Sequence, residues 1–457
     1  MKKKSEWIRK KTKRKKREEC DKGIVDLIMV IRHFFKKLNL WISEMEEPRN
    51  ESYTTYTQED LVYMGILKNV CTVESMREME NQFNEEICIR TLGILSGNAN
   101  LEEMPHCDTL NYYLSKLSPK CLDELRVKMV RQLISSKAFN KARIPGVGWR
   151  VILDGTGLFS FKEKHCENCL SQTYTDAEGK KRTIYYHKVL EAKLVLGDGM
   201  VISLGTEFIE NENEDVKKQD CEINAAKRLL PRIKEHFPRL NICIQADALY
   251  EVETIMHMCR EDFGWNYIFT HKDTRQPLLG ENWKLLDEQD KVVVEGIGSE
   301  HGIAEFYNGM EKLAGKTEKM NMICYRYKKD FKDGTSEQHE FMWTTSIPVK
   351  KTNVKSLINA GRGRWQIENE GFNVQKNITY KIEHLNSHNA NAMKNHYLLT
   401  QIADIIFQLY LRCSKMVKNF GQGIKNTSSR LLESFRTHQI TIEDVSFIER
   451  RTSVYLE

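Results

Sequence analysis

The chain divides into a helical part and a later part with shorter apolar runs. From Gly23 to Ala142, apolar residues recur at helical spacing among Glu and Lys, with polar breaks near 48–60 and 97–108. Residues 145–148, Pro-Gly-Val-Gly, interrupt this periodicity, and the pattern then changes to short apolar strands. We therefore expect a helical N-terminal domain that ends near residue 145.

After this break, strand patterns alternate with helical patterns. The predicted strands cover 151–153, 188–196, 200–209, 241–246 and 266–270, and the predicted helices cover 220–236 and 252–263. The Gly-Asp-Gly sequence at 197–199 predicts a hairpin turn between the second and third strands. This order predicts the α/β class, a mixed sheet with helices on both faces.

The last third of the chain returns from strands to helices. Residues 275–348 contain further strand patterns, and helices follow around Trp365–Lys376 and Lys394–Arg412. We therefore expect a basic tail (1–22), a helical domain (23–145), a first core part (146–274), a β-rich insertion (275–348), core helices (349–415) and a C-terminal helical extension (416–457).

Composition excludes a membrane-spanning protein. Hydrophobic residues make up 40% of the chain, and its longest apolar stretch, Tyr397–Leu411, is interrupted by Gln401, Asp404 and Gln408. Acidic residues after the basic start, without a small-residue cleavage site, argue against an export signal. The twelve cysteines then indicate a reducing compartment. We expect a cytoplasmic protein with no membrane partner, whose thiols are mostly buried.

Positive charge is concentrated at the start of the chain. Residues 1–17 hold eleven Lys or Arg against one Glu, a local charge of +10. Since the whole chain carries +6, residues 18–457 sum to −4. Contact with nucleic acid would therefore depend on local basic patches, of which this tail is the first. The alternative is a solvated arm without a binding role.

Two predicted strands run into an aspartate. Asp154 follows 151–153 and Asp247 follows 241–246, so we expect both at the carboxyl edge of the sheet, where α/β proteins place their sites. A single aspartate there is often only a turn former. Two carboxylates brought together repel each other, however, and a hard divalent cation with oxygen ligands relieves that repulsion.

A third carboxylate is expected from the helix that follows the insertion. Glu368 and Glu370 both lie in the stretch 361–376. On a regular helix Glu368 is about 40° from Arg364, whereas Glu370 is about 200° from Glu368, so the two glutamates cannot share a face. Because Arg364 and Lys376 would flank Glu368, we favour Glu368. An exposed helix with an Arg364–Glu368 pair is the plain structural alternative.

Together these residues resemble a known family. From about 150 to 410 the chain is similar to the DDE transposases of the IS4-type bacterial insertion sequences. Their last carboxylate lies in a motif of Tyr, two residues, Arg, three residues, Glu, six residues and Lys. Arg364 and Glu368 match it, whereas Gly361 occupies the Tyr position and Lys376 comes one residue late. The intervals of 93 residues from Asp154 to Asp247 and 121 from Asp247 to Glu368 leave room for the insertion.

The resemblance implies a ribonuclease H-like core and a DNA transposase. Asp154, Asp247 and Glu368 would bind two Mg²⁺ ions, with Mn²⁺ as a substitute, for cleavage at terminal inverted repeats and transfer of the 3′ ends to target DNA. The protein would act as a homodimer on double-stranded DNA in the bacterial cytoplasm, associated with the nucleoid. The helical N-terminal region would bind the element ends.

Basic residues near the third carboxylate are candidates for DNA contacts. Residues 350–381 hold seven Lys or Arg against two Glu, and Arg362, Arg364 and Lys376 would neutralise phosphates. Trp343 could stack on a displaced base, although a strand Trp is more often part of the core. Two other functions stay open: a transposase-derived DNA-binding protein without turnover, and a metal-dependent nuclease that only hydrolyses.

Cys166 and Cys169 have the spacing of a zinc knuckle and follow His165. His187 or Cys221 could be further ligands. No second pair with matching spacing is evident in the sequence, so ordinary buried or loop thiols are the alternative.

Overall fold

The computed structural model describes residues 22–450 except 165, 198, 214–215, 299–300, 314–317, 332, 334, 415–416 and 419–422. These residues divide into two compact units. The first takes the described residues of 1–138, 158–165 and 372–457, and the second takes those of 139–157 and 166–371. The basic tail at 1–17 lies outside the described residues.

The first unit is helical. Its helices are α1 (Gly23–Phe34), α2 (Leu38–Ser43), α3 (Gln58–Val70), α4 (Met76–Phe83), α5 (Glu86–Ser96), α6 (Cys107–Lys116), α7 (Pro119–Ser135), α12 (Ala390–Cys413), α13 (Ile424–Thr437) and α14 (Ile442–Arg450). Helix α12 packs against α1, α3, α6 and α7. Its Asn395 side chain donates to the carbonyls of Leu114 and Leu117 at 2.8 and 2.7 Å, so the last carbonyls of α6 are paired.

The second unit is built on a mixed sheet with helices on both sides. The strands are β1 (Trp149–Phe161), β2 (Leu170–Thr175), β3 (Lys181–Gly197), β4 (Met200–Ile209), β5 (Ile242–Ala246), β6 (Asn266–Thr270), β7 (Val292–Ile297), β8 (Gly302–Met310), β9 (Met320–Asp330) and β10 (Ser336–Thr345). The helices are α8 (Glu222–His236), α9 (Glu253–His257), α10 (Pro277–Leu285) and α11 (Val354–Arg362). The last residues of β1 belong to the first unit.

The sheet order is β2-β3-β1-β5-β6-β10-β9-β8-β7, with β4 also paired to β3. Strand β5 is parallel to β1 and β6, whereas β3 pairs with β4 in antiparallel fashion. Gly197 and Gly199, at φ +86° and +71°, adopt the left-handed backbone that the β3–β4 turn needs. The predicted mixed α/β fold is confirmed, and the middle residue of the turn, Asp198, lies outside the described residues.

Strands β7 to β10 continue this sheet through β10, which pairs with β6. The residues predicted as a β-rich insertion therefore form strands of the same hydrogen-bonded sheet as the strands before them. A core between these strands and α11 includes Ile323, Trp343, Leu357 and Ile358. Within the described residues, no helix combines the length and the apolar character that a membrane span requires.

Candidate active site

Asp154 and Asp247 lie at equivalent positions on neighbouring parallel strands. Ile152 of β1 pairs with Gln245 of β5, so the two aspartates share the same register two residues further along. Asp247 follows the last residue of β5, as the sequence predicts. The prediction that a strand ends at Asp154 is wrong, because β1 continues to Phe161. Its pairing with β5 stops near Asp154, and this leaves the carboxylate at the parallel edge.

Backbone amides hold both carboxylates. The Gly155 N–H donates to Asp154 Oδ1 and the Leu249 N–H donates to Asp247 Oδ1, each at 2.9 Å. These short turns fix the side chains where the strands leave the ladder. Each aspartate is partly exposed, so each keeps oxygen atoms for another ligand.

The surroundings of Asp154 oppose its ionisation. Burial raises the pKa of Asp154 to about 6, although Arg364 acts to lower it, and the carboxylates of Glu222 and Asp247 raise it further. Arg364 Nη1 lies 3.6 Å from Asp154 Oδ2. One arginine therefore faces several acidic groups, and the site has excess negative charge that a cation would offset.

Glu222 is an acidic residue of this site that sequence reasoning did not find. It lies in the first turn of α8, and a Cβ added to Gly155 would come within 2.6–2.8 Å of its carboxyl atoms. The Tyr250 hydroxyl donates to Glu222 Oε2 at 2.6 Å, and Lys188 of β3 forms a close ion pair with the same carboxylate. Burial and Glu222 raise the pKa of Tyr250, so its hydroxyl stays protonated and can donate.

The sequence carries little signal for Glu222. An acidic residue in a first helical turn is common because it stabilises the helix end. Only the approach of α8 to β1, through a glycine, places it beside Asp154. Tyr250, three residues after Asp247, is the more visible signal, since a buried tyrosine hydroxyl needs a partner.

A buried ion pair supports the turn after Asp247. His271 Nδ1 lies 3.0 Å from both carboxylate oxygens of Glu251, and both side chains are almost fully buried. The Gln276 amide donates to the Glu251 carbonyl at 2.6 Å. These contacts fix the backbone next to Tyr250, and they thereby position the hydroxyl that holds Glu222.

The segment with the third predicted carboxylate is not one regular helix. Helix α11 ends at Arg362, and Gly363–Trp365 forms a 3₁₀ turn. Ile367–Phe372 and Val374–Ile378 are π-helical. The segment predicted as a helix over Trp365–Lys376 is helical, but it is not a regular α-helix, so the angles taken from 100° per residue do not apply there. π-Helical turns often occur at functional sites.

Several contacts anchor this segment to the sheet. Gln245 of β5 donates to the Ala360 carbonyl at 2.6 Å, and Arg150 of β1 donates to Gln366 Oε1 at 3.4 Å. A Cβ on Gly361 would meet the Trp343 ring at 2.6–3.0 Å. Gly361, which occupies the Tyr position of the family motif, thus allows α11 to approach the sheet closely.

The structure separates the two candidate glutamates. Glu370 lies against Gly199 of the β3–β4 turn, and its charge acts on Arg150. Arg150 precedes Asp154 by four strand residues, about 13 Å along β1. Glu370 Oε2 is buried without a hydrogen-bond partner among the described residues. Glu368 is exposed, one turn after Arg364, and forms no hydrogen bond or ion pair within the described part of the chain.

The three predicted carboxylates do not converge into a closed ligand group. Within the described residues, the groups whose ligand atoms all lie within 4.8 Å of one another are Cys166, Cys169 and His187, and Glu80, His106 and Cys107. Asp154 and Asp247 lie at the same register on neighbouring strands, and Arg364 lies beside Asp154. Glu368 makes no contact, among the residues described, that ties it to either aspartate.

The predicted DNA-contact residues lie in different environments. Arg364 is partly exposed beside Asp154, whereas Arg362 lies over the rings of Tyr325, Tyr327 and Phe341 at 5.1–5.9 Å. Lys376 belongs to the first unit and pairs with Glu383 at 2.8 Å.

Trp343 is part of the core. It is only 2% exposed and stacks on Phe341, with ring centroids 5.8 Å apart. Because no face of the ring is open to solvent, stacking on a base would require the core to open. This geometry argues against a base-stacking role for Trp343, and it favours the alternative that the tryptophan packs in the interior.

In comparisons with known proteins, no family model matches this chain and no curated protein is significantly similar to it.

Proposed function

We propose that this chain is a DNA transposase of the DDE type with a ribonuclease H-like core. The observation that carries the proposal is the pair Asp154 and Asp247, at the same register on parallel neighbours β1 and β5. A site with excess carboxylate charge at such an edge suits a hard divalent cation better than a covalent nucleophile.

The sheet order supports the ribonuclease H-like assignment. The β3–β4 hairpin lies on one side of β1, and the parallel strands β5 and β6 lie on the other. We take β1, β3, β4, β5 and β6 as the catalytic sheet, and β7 to β10 as the elaboration of it. The π-helical turn Ile367–Phe372, which follows α11, then delivers the third carboxylate from the region beyond β10.

The donor atoms fit Mg²⁺ or Mn²⁺. Asp154 and Asp247 offer carboxylate oxygens at one edge. Burial is the main cause of the raised pKa of Asp154, the carboxylates of Glu222 and Asp247 add to it, and Arg364 offsets it only in part. Asp154, Asp247 and Glu368 would hold two ions. When bound, the ions supply activation of the attacking hydroxyl and stabilisation of the leaving oxygen. Glu368, exposed and without a partner among the described residues, would turn toward the aspartates.

The remaining side chains position the acidic groups and the substrate. Tyr250 and Lys188 hold the Glu222 side chain in one orientation. Its negative charge therefore stays close to Asp154. Arg364 reaches the site edge and can pair with a phosphate oxygen when a cation takes over the neutralisation of Asp154. Lys350 and Lys351, just before α11, and Lys355, in its first turn, are exposed and offer further phosphate contacts.

The substrate under this proposal is double-stranded DNA with terminal inverted repeats. Cleavage would free the 3′ ends, and transfer would join them to target DNA. Because two ends must be joined in one event, a homodimer assembled on DNA is the expected working form. A bacterial cytoplasmic location, with association to the nucleoid, follows from the same resemblance.

A strand-transfer assay tests the proposal. Full-length protein is incubated with a labelled fragment bearing the inverted repeats that flank its reading frame, a supercoiled target plasmid and Mg²⁺. We expect joined products from the natural chain and none from Asp154→Ala or Asp247→Ala. Asp287→Ala, an exposed aspartate outside the carboxylate site and outside the proposed phosphate contacts, serves as the matched control and should retain joining.

Each of the other outcomes would indicate a different function for this protein. Cleavage without joining would indicate a nuclease that only hydrolyses, and binding without cleavage would indicate a DNA-binding protein without turnover. Joining that survives Asp154→Ala would refute the assignment of the site.

A further inference from the structure

A second cluster of side chains, distant in sequence from Glu368, has the chemistry of a metal site. Cys166 and Cys169 precede β2, and His187 lies on β3. The two Sγ atoms are 3.0 Å apart, and His187 Nε2 lies 3.3 Å from Cys166 Sγ and 3.5 Å from Cys169 Sγ. Cys169 and His187 are 4% and 3% exposed. Two sulfurs and one imidazole nitrogen thus face one another in a nearly closed space.

The loop that carries the cysteines is held in place by backbone and amide contacts. The Asn168 side chain donates to the Asn211 carbonyl, and the Asn211 side chain donates to the Cys169 carbonyl, both at 2.9 Å. The Asn211 N–H donates in turn to the Asn168 carbonyl at 3.2 Å. This reciprocal pairing presents the sulfurs toward β3 before any ligand binds, which reduces the entropy cost of binding.

A carboxylate lies behind the imidazole. Glu210 Oε1 is 3.9 Å from His187 Nδ1, the ring nitrogen that does not face the sulfurs. This distance is longer than a hydrogen bond. Carboxylates commonly lie on this side of metal-bound histidines, where at hydrogen-bonding distance they fix the tautomer and orient the ring. A cluster of thiols formed only by apolar packing would not require such an arrangement.

We propose that Cys166, Cys169 and His187 bind a structural zinc ion. Tetrahedral zinc, with Zn–S of about 2.3 Å and Zn–N of about 2.0–2.1 Å, sets sulfur–nitrogen separations of about 3.6 Å and sulfur–sulfur separations of about 3.8 Å. The observed sulfur–nitrogen distances of 3.3 and 3.5 Å are close to the separation that zinc requires. The two sulfurs, 3.0 Å apart, would have to move apart by less than about 1 Å. Binding releases the thiol protons and forms two Zn–S bonds and one Zn–N bond.

Zinc fits this donor set better than the ions of the carboxylate site. Thiolate and imidazole are the ligands that zinc prefers, whereas Mg²⁺ requires oxygen. Cys221, the other cysteine considered as a ligand, is not part of the group. A fourth position is available to water.

The zinc would join the loop before β2 to the middle of β3. His187 immediately precedes Lys188, whose side chain pairs with Glu222 beside Asp154. Since successive strand residues point to opposite faces, the metal would anchor one face of β3 while Lys188 supports the acidic site from the other. Metal content and DNA joining are separate measurements, so failure of one leaves the other open to test.

Zinc content of the purified full-length chain tests the proposal. The protein is produced in zinc-supplemented medium under reducing conditions, desalted, and its zinc measured by mass spectrometry against protein concentration. We expect one tightly held zinc per chain, lost in Cys169→Ser and in His187→Gln. Cys221→Ser is the matched control, since it removes a nearby thiol outside the group, and it should retain the zinc.

Two further results bear on the same site. The group Glu80, His106 and Cys107 lies in the first unit and also has metal-ligand chemistry. Cys107→Ser tests whether that group holds the zinc, and we expect the zinc content to be unchanged in this variant. If the ligand variants fail to fold, X-ray absorption at the zinc edge of the natural protein should show two sulfur neighbours at about 2.3 Å. Absence of zinc, zinc without sulfur neighbours, zinc retained in Cys169→Ser, or a Cys166–Cys169 disulfide in its place would overturn the proposal.

Discussion

Asp154 shows how one residue can favour ligand binding over stability. Its side chain is 24% exposed, and burial raises its pKa to about 6. Arg364 at 3.6 Å offsets part of this effect, whereas Glu222 and Asp247 add to it. At neutral pH the folded protein therefore holds an ionised carboxylate in surroundings that oppose its charge. A bound cation would neutralise this charge, and the removal of the unfavourable interaction would add to the affinity for the cation.

Asp154→Asn should stabilise the metal-free protein at neutral pH. A pKa raised from 3.8 to about 6 means that the folded state binds more protons than the unfolded state across this interval. The contribution of protonated Asp154 to the free energy of unfolding is thus fully present below pH 3.8 and is lost as pH rises through about 6. We expect a gain of about 1–3 kcal/mol at pH 7 and almost none below pH 4.

Thermal unfolding in chelator, followed from pH 4 to 7.5, measures this effect. Added Mg²⁺ should raise the melting temperature of the natural chain more than that of Asp154→Asn. An asparagine variant that is less stable than the natural chain at pH 7 would show that the carboxylate stabilises the fold.

Two glycines of β1 provide a matched pair of substitutions. Alanine at Gly155 would bring a methyl group within 2.6–2.8 Å of the Glu222 carboxyl, whereas alanine at Gly157 meets nothing within 4 Å. Because Tyr250 and Lys188 hold Glu222, its displacement breaks at least one hydrogen bond at a cost of about 1–2 kcal/mol.

We expect Gly155→Ala to lower DNA cleavage about tenfold and Gly157→Ala to leave it unchanged. The measurement is the initial rate of strand cleavage, with circular dichroism as the check on folding. Equal rates for the two variants would mean that the position of Glu222 does not affect the reaction.

At the scale of elements, the segment after α11 departs most from its predicted form. Its residues have helical periodicity, but close packing sets their actual path. Gly361 lies against Trp343, and a Cβ on Gly363 would come within 2.6 Å of the Arg150 guanidinium. The backbone consequently passes from α11 through a 3₁₀ turn into π-helical turns. This path separates Glu368 from Glu370 in a way that regular helical geometry does not describe.

Substitution of the two glutamates distinguishes their roles. We expect Glu368→Gln to lower strand joining by at least about a hundredfold while DNA binding is retained, as for loss of a metal ligand. Glu370→Gln should leave joining within about threefold of the natural rate. It should lower stability slightly, because it removes a charge that favours the ionised Arg150 although Glu370 Oε2 has no hydrogen-bond partner among the described residues. Joining rates and DNA affinity are measured for both. The reverse pattern would assign the third carboxylate to Glu370.

At the scale of the whole molecule, charge is distributed unevenly. Residues 1–17 carry +10, whereas the remaining residues sum to −4. The segment 350–381, which contains Glu368, has seven Lys or Arg against two Glu and is a second basic region of the chain. Affinity for DNA should therefore come largely from the tail, while orientation of the DNA should come from residues of the folded chain.

Removal of residues 1–17 should make DNA binding weaker and less dependent on salt. For every phosphate that the protein no longer neutralises, the slope of log affinity against log salt becomes shallower by about 0.9, so a change of several units is expected. Fluorescence anisotropy between about 50 and 200 mM salt provides the slope, with a full-length chain of Gln-substituted tail lysines as control. An unchanged slope would show that the tail does not contact DNA.

The sequence by itself determined the class of fold and the positions of most strands. Short apolar runs identified β4 and β6 with the bounds that the structure has, because strands that are buried on both faces need apolar residues at successive positions. It also singled out Asp154, Asp247 and the Cys166–Cys169 pair as candidate site residues, since the chemistry of a metal site restricts the residue types that can take part.

Only the tertiary structure decided which of these residues meet. The contact of α8 with β1 brings Glu222 to Asp154, and the β2–β3 pairing brings His187 to the two cysteines. Packing against Trp343 determines the path of the segment with Glu368, and burial makes Trp343 itself a core residue. These outcomes depend on contacts between residues far apart in the chain. Local periodicity contains no information about such contacts, because it reflects only the burial of each element's own face.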